Sequence, residues 1–302
     1  MFHLKTLCLF NHSDMIHIVY PEVCFGVSTA LAGPLLTTNP SPHFLSVLSR
    51  VPQVFAWTWL NLLVTTVANQ RLPASVPEDA INKPWRPLPS ARLTEVQARR
   101  LLLAVLPLTL FVSYLVGGLH ETLLLMVLTW IYNDLGAADE NIYLRNMLNA
   151  FGFLCFSSGA SRIASDPARY DLKSVTYQWF TIIGMTVLST IQLQDMYDQE
   201  GDAARGRMTV PLVLGDWPAR WTVVVPVIFW SVVCPAFWNL RVSGFVAPLL
   251  LGMVIVFRVL LMRNVKADKL SFKFWCLWTV SLYILPLVRD HTFLESLSAK
   301  PG

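Results

Sequence analysis

Asp195, Asp198 and Asp202 recur at i, i+3 and i+7 within QDMYDQEGDAARGRMTVP, Gln194 to Pro211. If the preceding helix continues through them, all three project from one face. Carboxylates on one stripe at a membrane boundary repel one another and lose hydration. A divalent cation relieves both costs. Mg2+ takes oxygen ligands and is commonly shared between carboxylates and phosphate oxygens. The plainer alternative is a solvated acidic helix end.

A second polar stretch, VANQRLPASVPEDAINKPWRPLPSAR, runs from Val67 to Arg92. Asn69 and Gln70 close an apolar run, and Glu78 and Asp79 stand side by side. Lys83 and Arg86 follow in a turn framed by Pro84, Pro87 and Pro89. Prolines restrict the backbone, so the basic side chains stay placed. Acids beside cations suit a metal-bound diphosphate: the acids hold the metal, and Arg or Lys holds phosphate oxygens. Polybasic flanks are also common at membrane surfaces for no catalytic reason. A third cluster comprises Asn133, Asp134, Asp139 and Glu140, with Arg145 and Asn146 opening the next apolar segment. Arg145 either reaches a diphosphate or pairs with Asp139 or Glu140.

These groups need a scaffold, and composition defines its class. The 302 residues are 54% hydrophobic and 14% charged, with 11 Trp and 17 Phe. Soluble domains carry roughly a quarter charged residues, so the chain reads as a polytopic, all-α membrane bundle. Nine apolar segments are expected to be helices, approximately 15–37, 45–68, 94–117, 119–135, 143–164, 174–196, 219–239, 243–262 and 272–289. Thr94 and Glu95 form a helix start, and Pro218 suits the first turn of the seventh helix. The opening MFHLKTLCLFNHSD is too short and too interrupted for a cleaved signal, and reads as an interfacial lead-in. A single domain over 1–302 is expected. The five cysteines, Cys8, Cys24, Cys155, Cys234 and Cys276, have no metal-ligand spacing and read as small hydrophobes.

Charge sets the expected orientation. One side gathers Lys5, Arg71, Lys83, Arg86, Arg92, Arg99, Arg100, Arg145, Arg205, Arg207, Arg220, Arg263, Lys266, Lys269 and Lys273. The other has Arg50, Arg162, Arg169, Lys173, Arg241, Arg289 and Lys300, with Arg258 left inside the eighth segment. That asymmetry favours a cytosolic N-terminus and puts all three polar clusters on the cytosolic side. Acidic, proline-followed loops after segments 2 and 6 hint at an internal repeat.

EDAINKPWRPLPSARLT resembles the first signature of the UbiA superfamily of intramembrane prenyltransferases, in which an acidic segment runs into Asn-Lys-Pro-x-Arg-Pro-x-Pro-Ser. Asp195-Met-Tyr-Asp-Gln-Glu-Gly-Asp202, followed by Gly206, Thr209-Val-Pro211 and Leu214-Gly215, resembles the second. The resemblance covers nearly the whole chain. It matches Asp79 to the last acid of the first signature, and Asp198 and Asp202 to the Asp-x-x-x-Asp of the second. Asp195 matches an additional acid found in some members. Ser75 and Leu72 stand where the superfamily carries Asp, and Asn69-Gln70 stands in for its Asn-Asp with two extra residues. That departure, with YNDLGAADENIYLRNMLNAFGF from Tyr132 to Phe153, resembles a fungal branch that includes membrane-embedded sesquiterpene cyclases of the bergamotene-forming type.

The resemblance implies Mg2+ as cofactor, with Asn69, Glu78, Asp79, Asp195, Asp198 and Asp202 as metal-side ligands. Asp79, Asp198 and Asp202 are the catalytic acids. Lys83, Arg86, Asn133, Asp134, Arg145 and Arg205 are placed on the substrate. That substrate is a prenyl diphosphate, farnesyl diphosphate first, entering from the lipid bilayer. Metal and basic charge stabilise the leaving pyrophosphate while the allylic C–O bond ionises. In a cyclase the substrate's own alkene attacks the cation, with aromatic faces as supports. Trp57, Trp59, Tyr132, Phe151, Phe156, Trp179 and Phe180 are candidates, against plain packing roles. In a transferase an aromatic or other acceptor attacks instead, and the diphosphate motifs are the same for both. A transporter and an inactive relative are the rivals from other classes. No nucleic acid and no obligatory protein partner are expected. The expected location is the endoplasmic reticulum membrane, multi-pass, with the acidic motifs facing the cytosol.

Overall fold

The computed structural model describes residues 2–289. Lys300, and the ends of the single domain expected over 1–302, lie outside the described residues. Helix α1 (Phe2–Asn11) precedes a π-helical turn, Met15–Val19, which runs into α2 (Tyr20–Leu31) and the short α3 (Gly33–Leu36). Then come α4 (Phe44–Gln70), α5 (Ser75–Asn82), α6 (Glu95–Val116), α7 (Leu119–Asn133), α8 (Ala137–Glu140), α9 (Ile142–Ala164) and α10 (Ser174–Thr190). A 3-10 turn, Ile191–Met196, leads to α11 (Gln199–Arg205) and α12 (Val210–Leu214). The chain continues with α13 (Asp216–Phe237), α14 (Val242–Leu261), α15 (Val265–Tyr283) and α16 (Leu285–Arg289).

Every expected apolar segment is helical, as a lipid environment demands of a backbone that must satisfy its own polar groups. Five of the described helical stretches are long and apolar enough to cross a membrane: Phe44–Gln70, Glu95–Val116, Asp216–Phe237, Val242–Leu261 and Val265–Arg289. The remaining four fall short for physical reasons. Three are shorter or broken (Met15–Leu31, α7 and α10), and α9 carries Arg145, Asn146, Asn149 and Arg162 along its length. Nine full crossings are therefore more than length and composition alone support.

Local sequence explains several boundaries. Thr94 caps α6 in a reciprocal box with Gln97, and Pro218 sits in the first turn of α13. Asn141 and Asn264 cap α9 and α15. The lead-in is a docked helix. Asn11 Nδ2 donates to the Trp59 carbonyl (3.0 Å), Thr66 Oγ1 donates to Asn11 Oδ1 (2.8 Å), and Gln70 Nε2 donates to the Phe10 carbonyl (2.9 Å).

The core lies between α2, α4, α9, α10, α13 and α15. Fully buried Trp57 crosses from α4 to α9, edge-on to Phe156 at 6.1 Å, and its indole N–H donates to Thr122 Oγ1 (3.0 Å). Gly159 makes that crossing possible, because a Cβ there would lie 2.1 Å from Trp57. Trp179 stacks on Phe237 at 5.8 Å, and Phe180 packs on Phe25 at 5.6 Å, so these two serve packing. Phe151 is 47% exposed, and Trp59 joins the second apolar cluster around α4 and α6. All five cysteines are free thiols.

At the end of the bundle that holds the acidic segments, α13, α14 and α15 are tied by ions. Arg220 donates to both carboxylate oxygens of Asp268 (2.8 Å each) and to the Val259 carbonyl (2.8 Å), and pairs with Asp216 (2.9 Å). The lone Arg258 of the eighth segment donates to the Ala267 carbonyl (3.1 Å) and lies 5.5 Å over the Phe274 ring. Both of these partners belong to α15.

Candidate active site

The two acidic segments face each other. The first is more ordered than a proline-framed loop, because Glu78 and Asp79 ride on α5. The second departs from the expected single helix: α10 gives way at Thr190 to the 3-10 turn holding Asp195, and α11 starts only after Asp198. Tightening to i→i+3 bonding and restarting at Asp198 removes the common α-helical face that the i, i+3, i+7 spacing implied. Tertiary contact replaces it. Asn82 Nδ2 donates to the Asp198 carbonyl (3.0 Å), and Gly201 N–H donates to Asn82 Oδ1 (3.2 Å). A Cβ on Gly201 would lie 2.3 Å from Asn82 Nδ2. Gly201→Ala is expected to break both hydrogen bonds at a cost of about 1–3 kcal/mol. A lower melting temperature in detergent, with reduced turnover, checks this. An unchanged melt would sink the clamp.

Each acid has a basic partner. Lys83 Nζ lies 2.6 Å from Asp198 Oδ2, Arg86 Nη1 2.7 Å from Asp79 Oδ1, and Arg145 Nη2 2.9 Å from Asp195 Oδ1. Arg145 also donates to the Tyr132 hydroxyl (2.9 Å). Its reach is thus to Asp195, across the bundle, and neither Asp139 nor Glu140 takes it. Arg205 and Arg207 share Glu78 (3.0 and 3.2 Å) and Asp139 (3.0 and 3.4 Å), and Arg207 stands 3.7 Å from Asp202. Burial opposes the charged form of Glu78, but Arg207 and Arg205 outweigh it and hold its carboxyl below the ordinary range. At Asp79 burial wins over Arg86 and Lys83, and the carboxyl is raised. Burial pushes Asp202 up to about 7, helped by Asp195 and opposed by Arg145 and Arg207.

A cavity of about 200 Å³ opens beside these pairs. Its polar end includes Asn69, Glu78, Lys83, Arg86, Asn133, Arg145, Asp195, Asp198 and Arg207. Ile18, Leu62, Leu125, Leu128, Leu148, Phe153, Phe156 and Ile191 supply apolar wall, interleaved with hydroxyls and amides such as Thr65, Thr129 and Asn149. Asn69 Nδ2 donates to Asn133 Oδ1 (2.8 Å), joining the ends of α4 and α7. Asp79 and Asp202 sit one layer behind, each 1% exposed, meeting the lining through Arg86 and Arg207. Asp134 and Arg205 are not part of the lining. Asp134 pairs with Arg71, and Arg205 turns to Ser75, Glu78 and Asp139.

Four lining or bridging residues escape a reading of spacing alone: Asp14, His17, Asn82 and Arg207. Asp14 and His17 come from the start of the chain, far in sequence from both motifs. Arg207 carried one signal, its place in the basic tail of the second motif, Ala203-Ala204-Arg205-Gly206-Arg207, where two arginines flank a glycine.

The donor chemistry suits a hard divalent cation. Asp79, Asp195, Asp198 and Asp202 each keep one buried carboxylate oxygen without a hydrogen-bond partner. Among the described residues no three His, Cys, Asp or Glu side chains are gathered on one point. Spread carboxylates fit Mg2+ better than a closed protein cage, since Mg2+ is usually held by one or two carboxylates together with phosphates and water.

A helical membrane bundle with acids and cations at the charged end of an apolar cavity is built to handle an amphiphile with an anionic head. Comparison with known proteins agrees with that class. The UbiA prenyltransferase family matches residues 26–278. The chain is 30% identical over 285 residues to the fumagillin beta-trans-bergamotene synthase of Aspergillus fumigatus, covering 94% of this chain and 92% of that one. It is 28% identical to a somaliensene A/B synthase of Streptomyces somaliensis, covering 92% of each. A UbiA homologue from Archaeoglobus fulgidus, bound to GPP and Mg2+, shares the fold with a TM-score of 0.65 at 11% identity, covering 94% of this chain and 100% of that one. The chain belongs to the UbiA prenyltransferase family and is a membrane enzyme of that family.

Proposed function

We propose that this chain is a Mg2+-dependent terpene cyclase that ionises a prenyl diphosphate, farnesyl diphosphate first, and closes the cation to a sesquiterpene. The observation that carries the reading is the cavity itself, which joins a cluster of acids and cations to a wall of aliphatic and aromatic side chains. Of the residues expected on the metal side, Asn69, Glu78, Asp195 and Asp198 line the cavity and could hold Mg2+, which would supply positive charge to the departing pyrophosphate, while Asp79 and Asp202 stand behind Arg86 and Arg207 and would support the site from there. Lys83, Arg86, Arg145 and Arg207 line the same end and would bind diphosphate oxygens, giving up carboxylate partners to do so. Arg145 is pre-oriented by Tyr132 and Asp195. The apolar walls exclude water, so the allylic cation survives long enough to meet the substrate's own alkene. Phe153 and Phe156 line the cavity and are the aromatic rings that would support that cation. The endoplasmic reticulum, with the acidic segments on the cytosolic side, is the location this reading adopts, with one UbiA-type unit over 1–302.

Kinship with the bergamotene synthase supports cyclisation. Kinship with a polyprenyl transferase of Hericium erinaceus, 29% identical over 234 residues and 71% of this chain, supports transfer to an acceptor as the second reading. Membranes holding the protein, given farnesyl diphosphate and Mg2+ without acceptor, should release pyrophosphate and yield a hydrocarbon by gas chromatography–mass spectrometry. Farnesol alone, with a rate that rises on adding a phenolic acceptor, would select transfer. No pyrophosphate at all would favour an inactive relative or a transporter.

Phe156 offers a second check. It is 3% exposed and lines the cavity away from the acids. Phe156→Ala should change the hydrocarbon ratio while pyrophosphate release continues, at a cost of about 3–5 kcal/mol in stability. An unaltered product spectrum would remove Phe156 from the chamber wall.

A further inference from the structure

A cation closed to a hydrocarbon must lose a proton, and the cavity contains one suitably placed group that the diphosphate chemistry does not use. His17 lines the cavity where its charged end meets the apolar wall, on the π-helical turn Met15–Val19. Such turns interrupt regular helices and often mark functional positions. Its ring lies 6.4 Å from the Phe153 ring and 5.3 Å from the Phe272 ring. Nε2 stands 3.5 Å from Asp14 Oδ1, and Nδ1 is buried with no side-chain partner, with the Ser13 backbone, Lys83 and Arg86 also facing the ring. Asp14 is held in turn by Arg86, at 3.5 Å from its other oxygen.

The lining carboxylates all stand among the cations at the charged end of the cavity. Asp14, Glu78, Asp195 and Asp198 are each ion-paired with Arg or Lys. The remaining polar lining consists of hydroxyls and side-chain amides, which are poor proton acceptors. His17 is thus the one uncharged nitrogen base among the described lining residues, and a carboxylate stands 3.5 Å from its Nε2.

We propose that His17 is the base that ends the cyclisation and that Asp14 positions it. This rests on the cyclase reading above. The C–H bond next to the final cationic carbon breaks, and its electron pair becomes the new alkene. The proton passes to the unshared pair of the imidazole nitrogen turned away from Asp14. Asp14 stabilises the resulting imidazolium, which then returns the proton to the released pyrophosphate and is ready again.

His17→Gln and His17→Phe, assayed in membranes with farnesyl diphosphate and Mg2+, separate ionisation from proton loss. Pyrophosphate release should stay near the parent rate, while hydrocarbon per pyrophosphate falls about tenfold or more, with water-captured alcohols replacing it. Asp14→Asn leaves the ring in place and should shift the products the same way to a smaller extent. Asp14→Glu should restore the parent ratio in part, which a packing role would not do. The Asp14 pair therefore decides the matter even if a His17 variant fails to accumulate. A parent hydrocarbon ratio in all four variants, or a parallel fall of pyrophosphate and hydrocarbon, would overturn the assignment. No hydrocarbon from the parent protein itself would instead overturn the cyclase reading beneath it.

Discussion

Asp198→Ala is expected to abolish turnover, with a loss of about a thousandfold or more, or ~4 kcal/mol of transition-state stabilisation. Asp198 touches both halves of the site. Its Oδ2 takes Lys83 at 2.6 Å, its Oδ1 is buried without a partner, and its backbone carbonyl accepts from Asn82. Alanine removes the carboxylate but keeps the carbonyl, so the clamp between α5 and α11 should persist and the protein should still insert and accumulate. Asp202→Ala should be similarly damaging, although Asp202 acts from behind the lining. Glu140→Ala is the control, because Glu140 is exposed and has no place in the cavity. Pyrophosphate release in matched membranes is the measurement. Near-parent rates for both Asp variants would refute the metal-side role of the second motif.

Arg145→Ala should cost activity and stability together. Arg145 is 4% exposed, and its guanidinium joins the Tyr132 hydroxyl on α7 to Asp195 on the 3-10 turn. Truncation leaves the Asp195 carboxylate buried and unpaired, a loss of about 3–5 kcal/mol. Diphosphate binding should weaken as well, since one of four lining cations disappears. Arg145→Lys sharpens the test: it restores charge but cannot reach both partners with a rigid fork, so stability should recover more than turnover. A lysine variant with the parent KM and kcat would show that charge alone matters there. Melting in detergent, measured alongside KM for farnesyl diphosphate, distinguishes the two effects.

Much of the candidate site was legible in the chain. Acids followed by Asn-Lys-Pro-x-Arg-Pro, and a second acid triplet about 116 positions on, point to one diphosphate because such charges are costly at a membrane boundary unless they share a ligand. Lys83, Arg86, Asn133 and Arg145 do line the cavity, as do Asn69, Glu78, Asp195 and Asp198. Asp134 and Arg205 sit in the same clusters but turn to Arg71 and Asp139 instead. Sequence spacing could not separate these cases, because neighbours one residue apart on a helix point about 100° apart and only the packing partners decide which direction is inward.

What the sequence determined by itself was the class: an all-helical membrane chain, its helix start at Thr94 and first-turn proline at Pro218, its two acidic motifs and their kinship. Hydropathy and capping are local, so they can be read along the chain. Only the tertiary structure decided that the second motif is broken at Asp198, that Asn82 clamps it to the first, and that Arg145 spans to Asp195. Only it brought Asp14 and His17, from the chain's first turns, to the cavity, with the His17 ring against Phe153 on α9 and Phe272 on α15. The physical reason is that buried charges and close ring contacts are settled by whichever distant segments meet in the core, where an unpaired polar group is expensive and each partner is chosen by packing.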